Sequence, residues 1–258
     1  MIFILKHITE FYKIISNQKI ALEHELYAMT IEAQEIAQAA LPGQFVHIKC
    51  NNLTLRRPIS IAKAQNGQIT ICYDVRGEGT AWMAGLQSGD KIDLLGPLGN
   101  GFDMPEPFKK LLFVGGGIGI YPLYFAASVF SGQSVALLGF KTKAQVSFER
   151  EFAAHTGEVY ITTDDGSYGK KGYVTDAAKE ILDSGNIDMI MACGPKIMMK
   201  TVALEAARKN IRCQVSLEER MGCGVGACLA CVCRVKGRNK RICIDGPVFF
   251  GNEVDWEW

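Results

Sequence analysis

The sequence has almost no net charge: 28 Lys and Arg stand against 27 Asp and Glu, a balance of +1. That balance gives no electrostatic footprint for nucleic acid. Internal repeats, low-complexity tracts and long linkers are also missing, so the parts of the chain are expected to pack together. No leader is evident, because Lys6 and His7 interrupt the apolar start before a cleavage-site pattern can form. Nine cysteines, an odd number, then fit a reducing cytoplasm better than a disulfide framework. An unbroken membrane span is lacking too. Residues 111–130 carry no charge, a run long enough to cross a bilayer. Gly115, Gly116, Gly117, Gly119 and Pro122 nevertheless divide it into a short strand and a helix, so no membrane association is expected. At 258 residues and 48% hydrophobic, the chain has an ordinary soluble composition and enough length for two domains.

What is present is concentrated near the C-terminus. Residues 221–243 read MGCGVGACLACVCRVKGRNKRIC. Cys223, Cys228 and Cys231 follow the spacing C-x4-C-x2-C, and Cys243 comes after eleven further residues. This is the plant-type iron–sulfur spacing, with three thiolates on one tight loop and a fourth from downstream. Two irons share four terminal ligands, so a short loop must wrap them and aim several sulfurs inward. Gly222, Gly224 and Gly226 lie among the ligands, where such a wrap needs positive φ. The alternatives are a zinc site and a set of inert buried thiols. Zinc loops present paired C-x2-C units, and only one usable pair exists here. The spacing therefore favours a [2Fe–2S] cluster on Cys223, Cys228, Cys231 and Cys243. Cys233 is the spare, directed elsewhere by a strand leaving the loop.

Residues 1–103 read as short β-rich segments at 3–8, 12–15, 22–29, 44–49, 69–75 and 91–95, punctuated by Pro-Gly, Asn-Gly, Ser-Gly and Gly-Pro turns. That rhythm predicts a small antiparallel barrel. Residues 32–40 fit a short helix or a loop. From residue 111 strand and helix alternate, with a helix over 144–155 among the expected elements, which predicts a doubly wound parallel sheet. The expected fold is thus multidomain α+β: an antiparallel barrel over 1–103, an α/β nucleotide domain over 104–212, and a small [2Fe–2S] domain over 213–258.

Four motifs carry candidate chemistry. Arg56-Arg57-Pro58-Ile59-Ser60-Ile61 puts two charges into an apolar stretch, which is costly unless they are paired or bound to an anion. Two solvated arginines on a strand edge are its plainer reading. Gly77-Glu78-Gly79-Thr80 precedes a helical turn, where free N–H groups can meet a phosphate; alone it reads as an ordinary turn. Gly115-Gly116-Gly117-Ile118-Gly119 follows a strand and opens a helix, the context for a pyrophosphate. Cys193-Gly194-Pro195 ends a strand at the sheet edge where ligands bind in such folds, or is a simple strand–helix turn. Asp164-Asp165-Gly166 also ends a strand and reads first as a solvated turn.

In this order, RRPISI, GEGT, GGGIG, CGP and LEERMGCGVGACLACVC with the closing CIDGPVF resemble the electron-transfer subunits of type B dihydroorotate dehydrogenases, within the ferredoxin reductase-like superfamily. The resemblance covers essentially the whole chain. It implies FAD between barrel and nucleotide domain, contacted by Arg57, Pro58, Ile59 and Ser60, by Cys72, Tyr73 and Asp74 on the next strand, and by Gly79 and Thr80 at the pyrophosphate. The wider superfamily often has an aromatic where Ile59 stands, which leaves Tyr73 as the candidate for flavin stacking. The residues themselves point to NAD(H) at Gly115, Gly116, Gly117, Gly119, Gly194 and Pro195, with Cys193 placed beside the nicotinamide by its strand end. The implied partner is a separate FMN-containing catalytic subunit that oxidises dihydroorotate to orotate in pyrimidine biosynthesis, in a heterotetramer of two plus two. Redox logic agrees, since a flavin belongs between a two-electron nicotinamide and a one-electron cluster. The competing reading is an NAD(P)H-oxidising flavin and iron–sulfur subunit of a hydrogenase, sulfide dehydrogenase or transhydrogenase complex. A metal-stapled binding scaffold is a third. The basic residues Arg234, Lys236, Arg238, Lys240 and Arg241 form either a solvated loop or a docking patch.

Overall fold

Alternating apolar residues build the first layer. In the computed structural model, which describes residues 8–21, 24–104 and 110–257, six antiparallel strands close into a barrel. They are β1 (Ile8–Lys19), β2 (Leu26–Glu32), β3 (Phe45–Lys49), β4 (Arg57–Gln65), β5 (Gln68–Asp74) and β6 (Lys91–Leu98), in the order β1-β2-β5-β4-β3-β6. Every second side chain points inward. Ile14, Met29, Ile31, Val46, Ile48, Ile61, Ile69 and Ile71 fill the interior with no exposed surface. The segment left open at 32–40 is a short helix, α1 (Gln34–Ala39), and α2 (Glu78–Ala84) caps the barrel. The strand expected over 3–8 lies, apart from its last residue, outside the described residues. The one expected from 22 starts at Leu26.

The second layer is a seven-stranded sheet. Its members are β7 (Lys110–Gly116), β8 (Gln133–Phe140), β9 (Glu158–Thr163), β10 (Lys170–Lys171), β11 (Met189–Cys193), β12 (Arg212–Ser216) and, after the short hairpin β13 (Val232–Val235) and β14 (Arg238–Arg241), β15 (Val248–Phe250). The order is β10-β9-β8-β7-β11-β12-β15, parallel except for β15, which returns antiparallel to β12. The boundary expected at 212/213 thus falls inside β12, and the C-terminal segment is stitched into the nucleotide sheet.

Helices α3 (Ile120–Val129), α4 (Glu149–Ala153), α5 (Val174–Asp183) and α6 (Lys196–Arg208) cover the sheet. α3 is buried along Ile120–Ala127 because it lies between sheet and barrel, and its Phe125 packs within the barrel's own core cluster. Burying that one ring is worth about 1.5–3 kcal/mol, so the layers are docked. The helix expected over 144–155 is interrupted. A 3-10 turn, Lys143–Gln145, and α4 flank Phe148, whose φ is 60°. The Phe148 ring meets Tyr121 and Tyr124 edge-on at 5.0 Å, and this packing overrides helical propensity.

Candidate functional site

Barrel, sheet and cluster loop meet along one groove of about 1300 Å³. Strand alternation decides which part of RRPISI reaches it: Pro58 and Ser60 line the groove, while Ile59 packs on the barrel cluster. The two arginines have different situations. Arg56 makes two 2.8 Å hydrogen bonds to the Asp93 carboxylate, with both groups largely buried. Arg57 donates to backbone carbonyls at Leu55 and Arg56 and lies across Gly79, where a β-carbon would come within 2.7 Å of its Nε. RRPISI and GEGT are therefore in contact, and of the two arginines Arg57 is the one that no carboxylate among the described residues pairs with.

The β5 residues divide. Asp74 lines the groove, tied at 3.1 Å to both His24 and Arg76. Cys72 is buried among side chains between barrel and sheet, and burial pushes its thiol far up. Tyr73 is sealed inside the barrel. It donates to Asn17 Oδ1 at 2.9 Å and stacks on Tyr27 at 5.8 Å, so its ring is not available for stacking in the groove. The groove's aromatic lining comes instead from Phe45, Tyr121, Phe140 and Tyr173. The sequence marked none of them: Phe45, Tyr121 and Phe140 are buried aromatics in a strand or helix and read first as core, while Tyr173 is an exposed residue just before α5 with no motif around it. Thr80 Oγ1 accepts from the backbone N–H groups of Arg76 (2.9 Å) and Gly77 (3.3 Å), shaping the turn before α2.

On the sheet side, Gly116, Gly117, Gly119, Cys193, Gly194 and Pro195 line the same groove. Gly117 has φ +55° with open space where a side chain would stand, which suits close approach of a phosphate to backbone N–H groups. Gly115 does not face the groove; a β-carbon there would press on Ile120 at 2.7 Å. The Cys193 thiol sits 3.7 Å from the Ser216 carbonyl and is pushed up to about 12 by burial, then by the nearby Glu218 charge. Asp164 reaches the groove, whereas Asp165 turns back to Ser167.

The cysteine loop gathers its sulfurs. Cys223 Sγ accepts from the N–H groups of Val225, Ala227 and Cys228 at 3.4, 3.3 and 3.4 Å, and Cys228 Sγ accepts from Cys223 N–H at 3.4 Å. Burial raises the Cys223 thiol, but the surrounding N–H groups outweigh it and bring it down to about 7. Cys243 is pushed up to about 12 by burial, then by its neighbour Cys231. The Cys223 N–H to Cys228 Sγ contact joins two of the four cysteines, and an all-sulfur donor set in this spacing fits an iron–sulfur cluster. Cys231 and Cys243 are buried while Cys228 is exposed, so the site lies at the surface. Cys233 is fully buried on β13, in the core cluster with Val235. Met221 and Ile242, at the two roots of the loop, line the groove.

The family of the iron–sulfur cluster binding domain of dihydroorotate dehydrogenase B matches residues 218–255, and the oxidoreductase NAD-binding domain matches 113–204. The dihydroorotate dehydrogenase B (NAD(+)) electron transfer subunit of Geobacillus thermodenitrificans is 46% identical over 254 residues, covering 93% of this chain and 96% of that one. The same subunit of Caldanaerobacter subterraneus is 43% identical over 248 residues, covering 94% and 96%. The chain belongs to the dihydroorotate dehydrogenase B electron transfer subunits. In solved structures, it is similar to a chain of an NADH-dependent reduced ferredoxin-NADP oxidoreductase described in work on flavin-based electron bifurcation, with TM-score 0.88, 34% identity, and coverage of 95% and 90%.

As a member of this family the chain is an oxidoreductase subunit whose cofactors are FAD, a [2Fe–2S] cluster and NAD(H), and the family implies a catalytic partner. Among the described residues, no helix is long and apolar enough to cross a membrane. The basic loop of this electron transfer subunit is largely self-neutralised. Lys236 pairs with Glu253 at 2.7 Å, Arg241 and Lys240 with Asp245 at 3.4 and 3.5 Å, and Arg234 with Asp255 at 3.9 Å. The exposed part of the cluster loop is instead apolar, with Val225 and Leu229 beside Cys228.

Proposed function

We propose that this chain carries electrons between NAD(H) at the sheet edge and an FMN-containing catalytic subunit docked over the cluster loop, in a cytoplasmic heterotetramer of two plus two that oxidises dihydroorotate to orotate. The observation that carries this reading is the continuity of the groove. The barrel strand β4, the glycine turn after β7, Cys193-Gly194-Pro195 and the roots of the cysteine loop all line it. When bound, a nicotinamide exchanges a hydride, a flavin one or two electrons, and a [2Fe–2S] cluster a single electron. The protein's work is to hold, space and shield these groups.

In this reading Pro58 and Ser60 present the edge of β4 to the flavin, with Ile59 behind them. Cys72, Tyr73 and Asp74 form the supporting strand. Arg57 supplies charge beside the Gly79-Thr80 turn, where the pyrophosphate lies. Gly116, Gly117 and Gly119 let the dinucleotide backbone approach, Gly115 seats the turn, and Gly194-Pro195 leaves room for the nicotinamide. Cys193 stays a neutral thiol and orients that ring. Cys223, Cys228, Cys231 and Cys243 hold the irons. The test is anaerobic NADH titration of the purified chain followed by visible absorption, together with dihydroorotate oxidation by the co-purified partner. Flavin and cluster bleaching with orotate formation is expected; a chain without visible chromophores would refute the reading. A second reading, the corresponding subunit of a transhydrogenase-type complex, is favoured by the likeness to the bifurcating oxidoreductase. A co-purified partner that reduces or oxidises NADP(H) instead of dihydroorotate would select it.

A further inference from the structure

His47 is fully buried, and neither ring nitrogen has a hydrogen-bond partner among the described residues. An imidazole sealed in this way costs more than a Phe or Leu of similar size, so packing alone does not account for it. On β3, Val46 and Ile48 fill the barrel, while Phe45 and His47 alternate outward. The side chain of His47 meets the cluster loop. A β-carbon on Gly224 would lie 2.5 Å from its Nδ1, and the backbones of Arg56 and Cys223 face the ring as polar neighbours without closing a hydrogen bond to it. Gly224 is where the loop reverses, with φ +74°, directly after Cys223. The three N–H groups on the Cys223 sulfur, from Val225, Ala227 and Cys228, converge because of that reversal.

We propose that His47 is a positioning residue for the cluster: it holds the Cys223–Gly224 turn against the barrel and so keeps these N–H groups aimed at the Cys223 sulfur. The proposal rests on the reading that the loop carries a [2Fe–2S] cluster. Hydrogen bonds to its sulfurs help set the reduction potential of such a cluster. They favour the reduced, more negative state, so loosening the turn lowers the potential. His47 also pairs with Pro58 in the β3–β4 register, so one residue ties the loop to the strand lining the groove.

The full chain with its cofactors is compared as wild type, His47→Phe and His47→Asn, the last placing an amide nitrogen at the distance from Cβ that His gives Nδ1. Iron content, the electron spin resonance of the reduced cluster and an anaerobic redox titration are measured. His47→Phe is expected to keep its iron while the cluster's one-electron reduction equilibrium falls about fivefold, the scale of one hydrogen bond, with a changed resonance line shape. His47→Asn should stay within twofold of wild type. A His47→Phe chain within twofold of wild type with an identical spectrum overturns the proposal, as does His47→Asn shifted as far as His47→Phe. If His47→Phe loads no iron, His47→Asn decides alone: within twofold upholds the proposal, a larger drop overturns it. A wild-type chain that gives no reduced-cluster signal instead overturns the cluster reading beneath it.

Discussion

Gly119 and Cys193 touch backbone to backbone: a β-carbon on Gly119 would fall 2.3 Å from the Cys193 carbonyl oxygen and 2.6 Å from the Gly194 nitrogen. The glycine turn after β7 and the strand end of β11 are thereby one unit. Gly119 has φ −66°, so its need for glycine is one of space and not of backbone conformation. Gly119→Ala should therefore cost about 1–3 kcal/mol of stability by overpacking and weaken NADH binding as well. Gly117→Ala meets no atoms but pays for φ +55°, a cost of about 1 kcal/mol. Denaturant midpoints of the two variants check the order; equal losses would mean the contact is relieved by a backbone shift.

Arg56 and Arg57 should separate stability from flavin binding. Arg56→Ala leaves the Asp93 carboxylate largely buried without its bidentate partner and should destabilise the barrel by about 1–3 kcal/mol. Arg57→Ala should leave the melting temperature nearly unchanged while the purified chain loses FAD. Bound flavin and unfolding are measured on both variants. Equal FAD retention in the two would remove Arg57 from the site.

The cysteines divide by position. Cys243→Ser should lose iron, and Cys233→Ser should keep it, because Cys233 is enclosed in the core on β13. Iron analysis and the reduced cluster's spin resonance decide. Loss of the cluster in Cys233→Ser with retention in Cys243→Ser reverses the assignment.

Cys193 is expected to behave as a neutral thiol. With its pKa pushed up to about 12, roughly one molecule in ten thousand is thiolate at pH 8, so alkylation by iodoacetamide should be slow and should accelerate as pH rises. Cys193→Ala should slow flavin reduction by NADH while both prosthetic groups stay bound. Rapid alkylation at pH 7, or an unchanged single-turnover rate, would count against this role.

The sequence made the cofactor-bearing turns legible because their chemistry is local. Four cysteines on a glycine-rich loop and a glycine turn after a buried strand are set by neighbours in the chain. What depends on distant neighbours was not legible. RRPISI does not reveal that Arg56 is spoken for by Asp93, 37 residues away. Tyr73 looked like a stacking ring because Ile59 stands where the wider superfamily often has an aromatic, yet strand alternation turns it into the barrel. The break at Phe148 comes from two tyrosines on α3, and the return of β15 to β12 joins segments with no pattern in common. His47 shows no signal in sequence at all, since its meaning comes from Gly224 on another layer.

The partner surface follows from the charges and the exposed apolar residues around the cluster. Arg234, Lys236, Lys240 and Arg241 each have an acidic neighbour within the chain, so their charge is already largely compensated. Leu229 is 62% exposed and held at φ +55°, a conformation that costs a non-glycine residue about 1 kcal/mol or more. An apolar side chain kept exposed at that cost, next to the exposed ligand Cys228, fits a contact completed by the catalytic subunit. Leu229→Ser should weaken assembly about tenfold, the scale of a contact residue at an interface. Lys236→Ala should change it less than twofold, and Arg238→Ala should alter mainly its salt dependence. NADH reduction of a small artificial acceptor should be equal in all three. Assembly is measured by titrating the partner at low and moderate ionic strength. A Leu229→Ser chain that assembles like wild type while Lys236→Ala does not would return the docking role to the basic loop.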